Sequence, residues 1–322
     1  MSLAPIVLFV YNRPQHTLKT LEALMQNELA EMSELFIFCD GPKADATNQD
    51  QERINKVRDL VKKKNWCKKV TIRESQVNKG LADSIVAGVT EIVNTYGKII
   101  VLEDDIVTSK GFLRYMNEAL DLYENEPKVM QISGFMVPSK VELEQTGLFR
   151  QPASWGWATW NTSWQHYDNQ IDTLLTQFKE ADEFEFNIEN TYHHIEELIK
   201  NEKGILKTWL IRWYASMFVH GGLCLYPHKS LIYNTGFGEL STHTKDKKMT
   251  KKIFNRNNHV SSVQVVYKQK SITENQAYLN TFKDFYKYQN YIWGKPSLKH
   301  RLISKLKNIK SISFDRISNF FH

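Results

Sequence analysis

Residues 98–105 read Lys98-Ile99-Ile100-Val101-Leu102-Glu103-Asp104-Asp105, four aliphatic residues that break off into three consecutive carboxylates. Three of the four are β-branched, so the run predicts a strand over 98–102 that is apolar on both faces, with the acidic triplet in the loop at its carboxyl end. Similar short runs stand upstream at 5–11 (PIVLFVY), 35–39 (LFIFC) and 70–72. Between them apolar residues recur at helical spacing: first Leu18, Leu21, Leu24 and Met25, then Ile54, Val57, Leu60 and Val61, then Leu81, Ile85, Val89, Ile92 and Val93. Pro14, directly after Asn12 and Arg13, suits the first turn of the first helix, where its missing N–H costs nothing. Strands alternating with helices in this way predict an α/β fold, a Rossmann-like, mainly parallel, doubly wound sheet.

Such sheets bind ligands at the carboxyl ends of their strands. There the sequence places Asn12 and Arg13 after the first strand, Asp40 and Gly41 after the second, Asn78, Lys79 and Gly80 after the third, and Glu103, Asp104 and Asp105 after the fourth. One polar loop says little; four on one edge make a candidate site. A carboxylate pair can hold one divalent cation through oxygen while the open positions of the ion take diphosphate oxygens. Without the cation, a carboxylate about 4 Å from a phosphate charge is repelled by about 4 kcal/mol at an effective dielectric of about 20. A Walker B strand would present similar carboxylates, but no GxxxxGK[ST] loop accompanies it. A solvated turn is the plain alternative. Asp40 can accept hydrogen bonds from a nucleobase or ribose, Arg13 can contact base or phosphates, and Lys79 is compatible with phosphate. Asp40-Gly41-Pro42 serves equally well as a structural turn.

Beyond residue 110 the pattern changes. A helix over about 111–123 and a strand over 129–133 lead into a region holding six of the eight tryptophans: Trp155, Trp157, Trp160, Trp164, Trp209 and Trp213. Indole faces can stack on sugar rings or simply fill a core. Residues 165–203 read as helical and acidic, with His193 and His194 on a surface helix, and 222–233 contains further strand-like pieces. Residues 245–256 read as a basic loop. In Gly236-Phe237-Gly238-Glu239-Leu240-Ser241-Thr242-His243 the glycines suit a tight loop that brings Glu239 and His243 near each other. The expected organisation is two halves of one domain sharing a sheet, 1–125 and 126–260, which the family resemblance given below makes the donor and acceptor halves, and a basic helical tail over 261–322.

Composition sets outer limits. The chain has 322 residues, 42% hydrophobic and 24% charged, enough for a large core and unlike a disordered chain. No run reaches the roughly 18 to 20 apolar residues of a membrane-spanning helix, and the N-terminus lacks the charged start of a secretory leader. Three scattered cysteines, Cys39, Cys67 and Cys224, predict neither a disulfide framework nor a zinc site, and suggest a reducing cytoplasm. The net charge of +6 is concentrated in residues 295–322, where Lys295, Lys299, Arg301, Lys305, Lys307, Lys310 and Arg316 oppose only Asp315. Leu298, Leu302, Ile303, Leu306, Ile309 and Ile312 recur among them, the pattern of a helix lying on anionic lipid or of a basic helix packed on its own domain. No nucleic-acid-binding motif accompanies the charge, so nucleic acid is not an expected partner.

PIVLFVYNRP, IFCDGPK, NKGLADSIVAGV, KIIVLEDDIVTSKGFLRYMN, SWGWATW and GLCLYPHKSLIYNTGFGELSTHT, within residues 4–245, resemble bacterial glycosyltransferases of the GT-A fold (family 2-like), related to N-acetylglucosaminyltransferase I. The resemblance implies a nucleotide-sugar donor, most often UDP-linked, Mn²⁺ or Mg²⁺, and a glycan or lipid-linked glycan acceptor in surface polysaccharide synthesis at the inner face of the cytoplasmic membrane. Carried over by matching positions, Asp105 becomes the metal ligand and Asp104 a ribose or phosphate neighbour. Arg13 and Asp40 contact the nucleobase, Glu103 lies by the donor sugar, and His243 approaches the diphosphate or metal. Trp155, Trp157 and Trp209 fall on the acceptor side. One departure matters: relatives carry an acidic base after the tryptophan matching Trp209, and this chain has Leu210. Leucine takes no proton. Glu239 is the substitute candidate and Asp168 the second, and an inverting displacement is expected. The competing reading is a non-catalytic carbohydrate-binding or scaffold protein on the same fold.

Overall fold

The computed structural model describes residues 2–179, 182–236 and 268–293. The N-terminal run forms strand β1 (Ile6–Val10), helix α1 (Pro14–Met25), β2 (Glu34–Cys39), α2 (Asn48–Val61), β3 (Lys69–Glu74), α3 (Leu81–Tyr96) and β4 (Lys98–Glu103). Pro14 occupies the first turn of α1 as expected, and α2 starts on a reciprocal capping box between Thr47 and Asp50. The four strands pair in parallel in the order β3-β2-β1-β4. Alternate residues of β1 explain its unbroken hydrophobicity. Val7 and Phe9 pack with Ile85 and Val89 of α3, whereas Ile6, Leu8 and Val10 pack with Leu21 and Leu24 of α1 and Val57 of α2. The sheet is thus covered on both faces, the condition for strands apolar throughout.

After β4 the chain turns into β5 (Ile106–Thr108), α4 (Phe112–Tyr123), β6 (Val129–Ser133), β7 (Gly147–Phe149) and β8 (Trp157–Trp160). β8 inserts antiparallel between β4 and β6, extending the sheet to β3-β2-β1-β4-β8-β6-β9-β7 with β9 at Leu223–Tyr226. The expected mainly parallel, doubly wound sheet is what the chain forms, with antiparallel pairs mixed in on its second side. β10 (Ile232–Asn234) pairs antiparallel with β5 as a separate ribbon.

The segment expected to be helical over 165–203 is three short helices, α6 (Ile171–Thr176), α7 (Asp182–Phe186) and α8 (His194–Glu202), preceded by α5 (Asn161–Trp164). A left-handed turn at Ile188, Glu189 and Asn190 separates α7 from α8. α9 (Trp209–Val219) then runs down the sheet and returns the chain to β9. Because β9 is parallel to β6, α9 starts at the carboxyl edge of the parallel strands and ends at the opposite edge. α10 (Gln276–Trp293) closes the fold against edge strand β7, with Phe282 stacked on Phe149 at 4.4 Å and the Asn275 N–H donating to the Leu148 carbonyl at 2.8 Å. No described helix is long and apolar enough to cross a membrane.

Candidate functional site

The winding direction of the sheet reverses between β1 and β4, so a crevice lies outside their carboxyl ends. Arg13, at the start of α1, and Asp104 and Asp105, in the turn from β4 to β5, occupy that crevice. The Arg13 guanidinium donates to both carboxylates: Nη2 reaches Asp105 Oδ2 at 2.9 Å, Nε reaches Asp104 Oδ2 at 3.3 Å, and Nη2 also bonds Asp104 Oδ1. Thr20 of α1 anchors the turn from below, its hydroxyl donating to the Asp104 carbonyl at 2.9 Å. Arg13, expected against a nucleobase or phosphate, is engaged here by the acidic pair.

Three carboxyl groups face one guanidinium in surroundings poor in water. Burial, with the neighbouring Asp105 and Asp104 charges, pushes Glu103 up to about 8, while Arg13 pulls it down. Burial likewise pushes Asp104 up to about 6 against the pull of Arg13. Burial opposes the charge on Arg13, but both aspartates outweigh it and hold its pKa above the usual value. The centre is short of positive charge. Asp105 Oδ1 is moreover buried without a hydrogen-bond partner, the state in which a carboxylate oxygen is costly unless a cation or donor meets it.

These features fit a hard divalent cation. No three His, Cys, Asp or Glu side chains gather into a ligand cluster among the described residues. Mg²⁺ is commonly held by one or two carboxylates plus phosphate oxygens and water, and within this pair Arg13 engages both Asp104 oxygens and Asp105 Oδ2, which leaves Asp105 Oδ1 unpartnered.

A second strap closes on Asp105. Its carbonyl accepts the Thr235 N–H at 2.8 Å, and the Thr235 hydroxyl meets His16 Nδ1 at 2.9 Å. A Cβ on Gly236 would collide with Asp105 Oδ2, so only glycine lets the backbone pass there. Glu239 and His243, the candidates for base and for a metal neighbour, lie outside the described residues.

Asp40 takes the structural-turn role that its loop equally allowed. Oδ1 accepts the N–H groups of Gly41 and Lys79, each at 2.9 Å, and Oδ2 accepts Asn78 Nδ2 at 2.9 Å and the Gly80 N–H at 3.0 Å. All four acceptor directions are filled by the chain, and the loop after β2 is stitched to the loop before α3. Gly41 permits the closeness, since a Cβ there would come within 2.5 Å of the Val77 backbone. The Lys79 side chain is exposed at the start of α3.

On the second side of the sheet, Trp157 and Trp209 are buried and stacked at 4.9 Å, with no face left for a sugar. Trp155 is partly exposed beside Phe135, at 4.7 Å between ring centroids. Leu210 is half-buried near the start of α9, at the carboxyl edge. Asp168 bonds through its backbone N–H to the Ser216 hydroxyl, about 12 Å down α9 from Thr208, and so lies away from that edge. His194, expected on a surface, is buried at 5% exposure.

No protein-family model matches the chain, and no curated protein matches it. Among solved structures it is similar to S. aureus TarS, with 14% identity over 72% of this chain and 36% of that one and a TM-score of 0.39. The chain therefore spans about a third of TarS. It is also similar to the mannosyltransferase PcManGT from Pyrobaculum calidifontis, determined with GDP-Man and Mn²⁺, with 10% identity over 67% and 69% of the two chains and a TM-score of 0.37. Mouse xyloside xylosyltransferase 1 shares 12% identity over 66% and 80%, with a TM-score of 0.33. Likeness at this depth transfers no residue's role.

Proposed function

We propose that the chain is a metal-dependent glycosyltransferase of the GT-A fold, which moves a sugar from a nucleotide sugar, UDP-linked by preference, to a glycan or lipid-linked glycan acceptor. The observation that carries this reading is the buried Asp104–Asp105 pair at the switch point of a doubly wound sheet, with one Asp105 oxygen unpartnered. Asp105 and Asp104 would hold Mn²⁺ or Mg²⁺, which when bound supplies charge neutralisation to a departing diphosphate. Arg13 orients the two carboxylates through its hydrogen bonds to both. Asp40 fixes the loop that presents Lys79 and the first turn of α3, a surface suited to phosphate oxygens. The finer relation to N-acetylglucosaminyltransferase I rests on the sequence motifs alone.

The test is calorimetric titration of UDP, GDP and dTDP with Mn²⁺ and then with EDTA. One nucleotide is expected to bind only with the metal and to lose at least about tenfold in affinity in Asp105→Ala. Absence of binding by all three overturns the reading. Leu210 favours a second one, a carbohydrate-binding or scaffold protein on this fold, which retains glycans and leaves donors intact. The expected working place is the inner face of the cytoplasmic membrane, reached through residues 295–322.

A further inference from the structure

His166 and His220 belong to different elements, the turn that follows α5 and the residue that closes α9, yet their rings meet with centroids 4.2 Å apart and planes inclined at 44°. Both elements reach the edge of the sheet opposite the crevice, because antiparallel β8 delivers the chain there into α5 and α9 runs down to it. The 11 residues of α9 span about 16 Å, so the pair stands well apart from the Asp104–Asp105 centre. His166 is half-buried and His220 is exposed, so neither ring is closed off from solvent.

One buried residue holds both histidines. The Ser216 carbonyl lies 2.8 Å from His220 Nδ1, and since a carbonyl only accepts, Nδ1 carries the proton and Nε2 keeps its lone pair. The Ser216 hydroxyl accepts the Asp168 N–H at 3.1 Å, two residues beyond His166, and itself donates to the Arg212 carbonyl at 2.9 Å. On the other side of His166, Trp164 packs on Trp213 of α9 at 5.0 Å, and Tyr167 stacks on Trp164 at 4.6 Å. The backbone that carries His166 is thus pinned before and after it. Among the described residues nothing hydrogen-bonds the His166 ring, and burial, with His220 beside it, holds its pKa below the usual histidine value, so the ring is neutral near pH 7.

We propose that His166 and His220 are the two protein ligands of a second metal site, which takes Zn²⁺ and staples the turn after α5 to the end of α9. Two imidazoles without a carboxylate suit a borderline ion that accepts nitrogen, and suit poorly the oxygen-seeking Mg²⁺ or Mn²⁺ of the crevice. A ligating histidine normally gives its other ring N–H to a carboxylate or a backbone carbonyl, which fixes its tautomer and aims its lone pair, and His220 is held in this way by Ser216. The spacing agrees. With Zn–N bonds of about 2.1 Å and an angle of about 90–110° at the ion, two imidazoles on one zinc have centroids about 4.6–5.3 Å apart, so the rings part by about 0.4–1 Å, a movement open to the exposed His220. Water fills the remaining positions of a four-coordinate ion, so the site is open and its metal exchanges. It goes beyond the glycosyltransferase reading and does not depend on it.

The full chain, labelled with ¹⁵N, is titrated with ZnCl₂ up to about 1 mM in an excess of MgCl₂, which competes for oxygen sites, and its imidazoles are followed by long-range ¹H–¹⁵N correlation. His166 and His220 are assigned through His166→Gln and His220→Gln. Both rings are expected to shift together and to saturate on a single binding curve. Loss of either ligand is expected to weaken the response of the other ring by at least about tenfold, so that each variant reports on the histidine it retains. No shift of either ring in the wild-type chain means a stacked pair without a metal and overturns the proposal with no variant needed. A shift of one ring that survives removal of the other at unchanged affinity means two lone histidines in place of one site, and overturns it as well.

Discussion

Two residues of the crevice show how little chain is spared for anything but geometry. Gly236 is in place because the backbone passes where a methyl group would strike the Asp105 carboxylate. Gly236→Ala is therefore expected to displace Asp105 and weaken Mn²⁺-dependent nucleotide binding by at least about tenfold, with a loss of stability of about 1–3 kcal/mol, both checked on one sample by calorimetry and urea unfolding. Asp40 makes the opposite trade, spending all four acceptor directions on the chain. In Asp40→Ala three backbone N–H groups and one amide lose a charged acceptor, and water can reach part of the half-exposed loop. The expected cost is about 1–3 kcal/mol, seen as a lower urea midpoint at an unchanged slope. An unshifted midpoint would mean that the loops hold together without this carboxylate.

At the scale of elements, what could be read in the sequence followed the length of the periodic pattern. β1, β2, β4 and the helices α1 to α3 were legible because each carries a run of apolar residues at one spacing. β7 was not, because three residues are too few to show a period, and β8 was not, because four residues bounded by Trp157 and Trp160 fit a core strand and a binding platform equally. The break between α7 and α8 escaped for another reason: no glycine or proline marks a left-handed turn made by Ile188, Glu189 and Asn190. His194 followed it into error, since Glu196 and Glu197 beside it suggest a solvated face, whereas rings from α7, α9 and α10 cover it. That burial has a titration consequence. The groups facing His194 are Glu197 and His193 on its own segment, Tyr192 before it, Tyr214 of α9 and Tyr286 of α10. With the folded pKa below the unfolded value of about 6.5, the unfolded chain binds more protons as pH falls, so stability is full above about 6.5 and declines below it. The wild-type chain is expected to lose stability relative to His194→Gln by up to about 1.4 kcal/mol per pH unit in that window. Parallel pH curves for the two proteins would contradict the burial of a neutral ring.

Across the whole molecule, long-range pairing and charge separate into two parts. The pairing of Arg13 with Asp104, 91 residues apart, and of Asp40 with Asn78 is produced by the sheet, which brings strand ends together that no local pattern joins. Charge is distributed in the reverse manner, written locally in the sequence. Residues 295–322 account for the net charge of +6, so the rest of the chain is neutral overall and has no general attraction to an acidic surface. Each basic residue near an anionic membrane contributes about 1 kcal/mol, a field that decays within a Debye length of about 10 Å at 0.1 M salt and about 3 Å at 1 M. The leucines and isoleucines spaced among the basic residues add an apolar part that salt does not screen. Deleting residues 295–322 is therefore expected to reduce binding to phosphatidylglycerol-containing vesicles by at least about tenfold at low salt, while binding of the full chain falls with added NaCl to a smaller residual. Neutral phosphatidylcholine vesicles are expected to show only that residual, measured by co-sedimentation. If the truncated and full chains sediment alike at low salt, the basic segment packs on its own domain and the membrane is reached by another surface or not at all.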